Sequence, residues 1–386
     1  MEDILEIKES EYITGDSSTR MIDPFDPFEN PTENHCYNED YSKIVPQITQ
    51  QSCVIPIRPA KAEKKAIRRD YNIAGVGLVA NFLFAQLIAY ALTVIAMFLI
   101  MRENDMSFSD LSSTAGNFIR GHIYNSSISP AITLLTFLTV NLATFFLGIR
   151  FLGIKTGRFF SPKGLTILNV LKYILIGAFL QYGSGMIVNV VRELFSEADI
   201  SGQSAYLINY SSLRSFAVSA FYTCIAAPLT EELFYRGFVM KAFSVTSQRF
   251  GIIASALFFA LGHGNVAQFI LTFIMGIFLG YIDIKHDSVL PSIFVHFSAN
   301  LTGTAASAMS FFEVSVQSTL YIAFTVCLLM ASAVGLVLLI IMLKKETFPK
   351  ASIAQQYRSG LMSLTSIGTL AAFLILSVNI IWNTMT

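Results

Sequence analysis

The stretch PLTEELFYRGF, residues 228–238, sets two adjacent carboxylates, Glu231 and Glu232, and a guanidinium, Arg236, inside a long apolar run. Buried charge is costly in any packed interior and costlier in lipid, so the reading of this stretch turns on what surrounds it. The composition answers. Hydrophobic residues make up 53% of the 386 and charged residues only 13%, with 33 Phe, and the mean hydropathy is +0.58. A soluble chain usually carries about 25% charged residues, so the deficit points to a membrane protein crossing the bilayer repeatedly. The formal net charge is zero, which gives no reason to expect nucleic acid as a partner.

Outward from the stretch, apolar runs cover about 72–101, 129–149, 165–191, 213–243, 250–263, 266–283, 289–312, 318–343 and 361–383. Most are long enough for a helix crossing a hydrocarbon core of about 30 Å. The fold class expected is therefore all-α, a polytopic transmembrane helix bundle of eight to nine spans. The fifth run is too short, since roughly fourteen residues at 1.5 Å each cover only about 20 Å. It ends in LGHGN, residues 261–265, whose glycines predict a turn within the membrane, tolerated only where protein covers it or water lines it. Gly276 and Gly280 in the sixth run form a small-xxx-small pair, which predicts close helix packing.

Residues 1–70 are polar, rich in Asn, Asp, Glu, Ser and Thr, and are expected to form a disordered tail ahead of an integral membrane domain over 71–386. The tail repeats Asp-Pro-Phe within MIDPFDPFENP, read as flexible chain, with a docking motif as the alternative. No signal-peptide pattern is visible in the opening MEDILEIKESEY. Cys36, Cys53, Cys224 and Cys327 show neither CxxC nor metal-ligand spacing and are expected to be free thiols. Lys61, Lys64, Lys65, Arg68 and Arg69 precede the first run, and every second loop thereafter is basic. That bias predicts a cytoplasmic N-terminus and fits nine crossings.

Ionisable groups inside membrane runs suggest function by default. They are Glu231, Glu232 and Arg236 in the fourth run, His263 at the end of the fifth, and His296 with Asn300 in the seventh. Asp283, near the end of the sixth, is expected to be solvated. Counting helical rise from the cytoplasmic loops, Glu231 lies roughly 15 Å up, His263 roughly 20 Å, His296 roughly 10 Å and Asn300 roughly 16 Å. The polar groups thus share one layer about 10 Å thick. Glu232 and Arg236 are four residues apart and can pair on one face, as can His296 and Asn300. Glu231, rotated about 100° from Glu232, keeps the freer carboxylate, and Pro228 should loosen the helix just before it.

A carboxylate beside an imidazole can take a proton from water in a poorly solvating pocket. A second imidazole and a carboxamide can stabilise the oxyanion of a tetrahedral intermediate. Hydrolysis therefore suits the set. Two Glu and two His could instead hold zinc, although HExxH is absent from the sequence.

Three motifs stand in order: EExxxR at Glu231–Arg236, FxxxH from Phe259 to His263, and HxxxN from His296 to Asn300. Over roughly residues 205–312 the chain resembles the CAAX-protease and bacteriocin-processing family, the glutamate-type intramembrane endopeptidases. The resemblance implies a helical membrane bundle with a cytoplasm-accessible cavity, and peptide-bond cleavage without a required metal or other cofactor. By motif position, Glu231 would be the general base, assisted by His263, with His296 and Asn300 as the oxyanion hole. Glu232, Arg236 and Phe259 would support them. The substrate implied is a membrane-associated or lipid-modified peptide or protein, and the short loops fit a bacterial cytoplasmic membrane. Two other classes remain open: a non-catalytic bacteriocin-immunity or scaffold protein, and a transporter using the same charges as a relay, against which no inverted repeat is visible.

Overall fold

Backbone polar groups in lipid must be satisfied within their own segment, so apolar runs of this length become helices. The computed structural model describes residues 59–106, 113–155, 157, 159–194, 212–346 and 363–385, and all regular structure among them is helical. The elements are α1 (Pro59–Glu103), α2 (Ser113–Tyr124), α3 (Ile128–Leu152), α4 (Ile167–Leu194) and α5 (Leu213–Phe221). A composite rod continues from α5 through α6 (Ala227–Glu232) to α7 (Lys241–Ser244), with wide helical turns at Tyr222–Ala226 and Leu233–Met240. Then follow α8 (Gln248–Gly262), α9 (Val266–His286), α10 (Leu290–Ala308) and α11 (Val314–Lys345), and finally α12 (Ile367–Met385).

Each apolar run thus becomes a helical stretch. Six helices among the described residues are long and apolar enough to cross a membrane: α1, α3, α4, α9, α11 and α12. The rod 213–244, α8 and α10 are not among them, and these are the elements that carry the polar motifs. The physical reason is in their setting. From Thr230 to Val245 the rod is buried except for a partly exposed Glu231, so its surroundings are other helices rather than lipid.

Three expectations need correction. The helix expected to start after residue 70 begins at Pro59, so the tail boundary falls inside α1. Lys and Arg are good helix formers, and Ile67, Asp70 and Tyr71 are already buried against the bundle. The rest of the tail, with Asp-Pro-Phe, Cys36 and Cys53, lies outside the described residues. The second correction is α2, which no apolar run announced. Among its described side chains it buries only Ile119 and Ile123, against Ile100 and Met101, while Arg120 and His122 keep its mean hydropathy low. The third is Asp283, expected in solvent but fully buried. It accepts hydrogen bonds from the Ser292 N–H at 3.0 Å and the Ser292 hydroxyl at 2.6 Å. A helix leaves its first N–H groups without partners, and the α9 carboxylate satisfies one of those of α10.

Two cores result. One joins α1, α3, the rod and α8 around Phe234, Phe238, Phe243 and Phe259. The other joins α4, α9 and α11 around Tyr173, Leu279 and Met342. Lys172 of α4 and Lys285 of α9 both reach Glu346 just past α11, at 3.6 and 2.6 Å. The expected close packing at Gly276 and Gly280 is present: β-carbons there would meet Ala256 at 3.0 Å and the Met240 sulfur at 3.1 Å. A close helix contact joins α1 to α12, where a β-carbon on Gly75 would run into the Gly368 backbone. Around it the Asn72 side chain accepts from the Gly368 N–H at 2.8 Å, and the Thr369 hydroxyl donates to Tyr71 O at 2.8 Å.

Gly75→Val should therefore separate α1 from α12 and lower the thermal midpoint of the detergent-solubilised protein by several degrees or more. Gly183→Val, at a position with open space around it, should shift it far less, only by the cost of a β-branched residue in a helix. A differential melt of the two variants checks this.

Candidate active site

A proline shapes the hydrogen bonding of the rod. The Ala227 N–H reaches back five residues to Tyr222 O, one more than an α-helix allows. The same step would send the next N–H to Thr223 O, but residue 228 is proline and has none. Asn300 of α10 fills the vacancy, donating from Nδ2 to Thr223 O at 2.7 Å. The loosening expected at Pro228 is thus a defined wide turn, and it ties α10 to the rod.

One turn on, Glu232 and Arg236 form the expected i,i+4 pair with both side chains at 0% exposure and Nε 3.1 Å from Oε2. Arg236 also donates from Nη1 to Glu232 Oε1 at 3.3 Å and from Nη2 to Gly276 O at 3.4 Å. Its guanidinium lies 4.5 Å from the centre of the Phe259 ring, a cation–π contact that helps hold a desolvated charge. Glu232 Oε1 accepts from His296 Nδ1 at 2.8 Å. A carboxylate can only accept, so the proton of that bond sits on Nδ1, and Nε2 faces away.

Nε2 of His296 faces Glu231, 3.9 Å from its Oε2. Glu231 is the partly exposed member, its side chain at 16% against 0% for Glu232. The adjacent carboxylates therefore have different settings, one locked to Arg236 and one open.

His263 closes α8. Its Nδ1 lies 2.8 Å from Phe259 O, and since a carbonyl only accepts, Nδ1 carries the proton and Nε2 offers a lone pair. The Phe259 ring stands edge-on to both imidazoles, centroids 4.8 Å from His263 and 5.8 Å from His296. Among the described residues His263 makes no hydrogen bond or ion pair with Glu231. Glu231, Glu232, Arg236 and His296 thus form one contacting cluster, His263 joins it across Phe259, and Asn300 anchors to the rod at Thr223.

Several supporting residues escape a reading of the sequence. Gly264, directly after His263, has φ +71°, a backbone conformation that favours glycine. Its carbonyl accepts from Asn383 Nδ2 of α12 at 3.0 Å, and Asn379 lies alongside. Asn379 and Asn383 are four apart in an apolar run, the same signal that singles out His296 and Asn300. Likewise Asn141 of α3 donates to Thr230 Oγ1 at 3.1 Å, next to Glu231, and accepts from Asn81 of α1 at 3.0 Å. Among the described residues no group of three or more His, Cys, Asp or Glu is placed to hold a metal ion, so the zinc reading gains no ligand set from the geometry.

Arg236→Met would strand the Glu232 carboxylate, and breaking a buried pair from one side costs about 3–5 kcal/mol. Glu231→Gln, at an open position, should cost under about 1 kcal/mol. Unfolding of the two variants in mild detergent compares them directly.

Residues 213–302 match the family model described as Rce1-like, type II CAAX prenyl endopeptidase Rce1-like. Over 83 residues the chain is 30% identical to the UPF0177 protein YxdF of Lactococcus lactis subsp. lactis (strain IL1403), a match covering 21% of this chain and 46% of that protein. The match spans about half the length of that curated relative. No solved structure matches the chain. All three motifs lie inside the matched segment, so over residues 213–302 the chain is similar to the CAAX-type prenyl endopeptidases that its motifs resemble.

Proposed function

We propose that this chain is an intramembrane endopeptidase that uses Glu231 as general base to cleave a membrane-associated or lipid-modified peptide or protein. The observation that carries the reading is the division of labour between adjacent carboxylates. Glu232 is immobilised by Arg236 and His296, while Glu231 remains open beside an imidazole.

Water held between Glu231 and the His263 Nε2 lone pair would give up a proton to Glu231 as its oxygen attacks the scissile carbonyl. The resulting oxyanion would be met by the Asn300 amide and by His296 Nε2 in its protonated form. Asn300 has two N–H groups and spends one on Thr223 O, leaving the second to donate. Glu231 would then return its proton to the leaving nitrogen, so the C–N bond breaks and both termini are balanced. A general base contributes typically about 10²–10⁴-fold and an oxyanion donor about 10²–10³-fold. We place the protein in a bacterial cytoplasmic membrane with its N-terminus in the cytoplasm, on the alternation of Lys and Arg between loops.

A second reading draws on the mutual pairing of Glu232, Arg236 and His296. The set would then be a polar clasp in an immunity or scaffold protein.

Wild type and Glu231→Gln expressed at matched levels in the native host should differ in newly formed peptide termini, read by mass spectrometry of membrane and secreted fractions. Termini lost in the variant support the peptidase; identical termini with the native phenotype retained support the clasp. Asn383→Ala, which frees the Gly264 turn, should lower the yield of the same termini about tenfold, since small misplacements of catalytic groups are felt at that scale or above.

A further inference from the structure

Away from the motif residues, α1 and α3 part to leave a groove of about 920 Å³. Its lining on α1 runs through Lys64, Lys65, Arg68, Arg69, Asn72 and Ile73, then on through Val76, Ala80, Phe84 and Ile88. These positions recur at three- and four-residue steps, so they form one continuous face of the helix. That face is cationic for its first turn and a half and apolar for the rest.

The opposite wall is α3, from Thr139 to Phe151. Phe238 of the rod lies beneath it, and a β-carbon on Gly77 or Gly148 would come within 2.6 or 2.5 Å of its ring. The outer rims are open: Val76, Phe84, Leu147 and Phe151 are 60%, 53%, 55% and 69% exposed. At the cationic end Arg69 is paired with Asp70 at 2.8 Å.

We propose that this groove is a binding site for an anionic phospholipid. Its phosphate sits on the Lys65–Arg68 end and one acyl chain lies in the slot above Phe238. The charge pattern of the α1 face matches an amphiphile with an anionic head and an apolar tail, which neither a soluble anion nor a neutral lipid reproduces. A basic cluster beside a membrane helix attracts anionic headgroups generally; the slot adds a place for the chain. From Asn72 to Ile88 the slot is roughly 24 Å long, more than the half-thickness of about 15 Å that one acyl chain spans. The proposal stands independently of the peptidase reading.

The test uses the full chain in detergent, with the thermal midpoint followed against dioleoyl phosphatidylglycerol or dioleoyl phosphatidylcholine. Phosphatidylglycerol should bind saturably and about tenfold more tightly than phosphatidylcholine. Lys65→Gln/Arg68→Gln, a change at the groove mouth, should remove that preference while leaving phosphatidylcholine binding unchanged. Ala143→Phe, which fills the slot, should weaken both lipids; should it fail to fold, Ala80→Leu is the milder substitute. Equal affinity for the two lipids overturns the proposal, as does a preference that survives the charge variant. Preference intact in the slot-filling variant reduces the site to surface attraction and also overturns it. Inorganic phosphate competing as well as the lipid would assign the cations to a soluble anion and overturn it too.

Discussion

A fully buried guanidinium and carboxylate in a bundle that sits in lipid must satisfy each other or the fold fails, and that constraint organises the rest of the centre. Arg236 has five donors in a fixed planar fork. Nη1 donates to Glu232 and Nη2 to Gly276 O, Nε lies in ion-pair contact with Glu232, and Phe259 stands against the face of the fork. The glycine at 276 suits this approach as well as that of α8: a β-carbon there would lie 3.0 Å from Ala256 and 3.3 Å from Nη2. The pair also explains His296, whose Nδ1–H occupies a Glu232 oxygen that Arg236 alone would leave half-satisfied. Three elements are thereby fixed around one ion pair, and Glu231 acquires its position as a by-product of its neighbour's confinement.

Around that pair the rod departs from α-helical pairing twice, and beside each departure a rod carbonyl accepts from a side chain of another element. Asn300 takes Thr223 O at the first. Ser255 of α8 takes Tyr235 O at the second, at 3.1 Å. Wide helical turns are frequent at functional sites, and here they serve as sockets into which α10 and α8 plug side-chain donors.

The apolar runs and the i,i+4 spacings of Glu232–Arg236 and His296–Asn300 are legible in the sequence because both express local periodicity. So is the short fifth element with its glycine turn. The burial of Asp283 is not, because its partner, Ser292, lies across a loop on another helix, and no spacing rule links them. The start of α1 is hidden because solvated Lys and Arg propagate a helix without adding to an apolar run, and α2 because only two of its described side chains are buried. Asn81, Asn141, Asn379 and Asn383 carry a readable signal, being amides in apolar runs, yet the sequence cannot name their partners on other elements.

The hydrogen bond from Asn383 to Gly264 spans 119 residues, which gives the centre an order of assembly. When the ribosome has delivered α8 and His263, the turn that follows still lacks its clamp, and α9, α10 and α11 must be made before α12 can supply it. Docking of α12 also requires α1, through Gly75 and Gly368. The two helices that close the bundle are thus the first and last of those described. During synthesis, the motif-bearing helices are inserted with their geometry incomplete, and the arrangement around His263 is set only as the bundle closes.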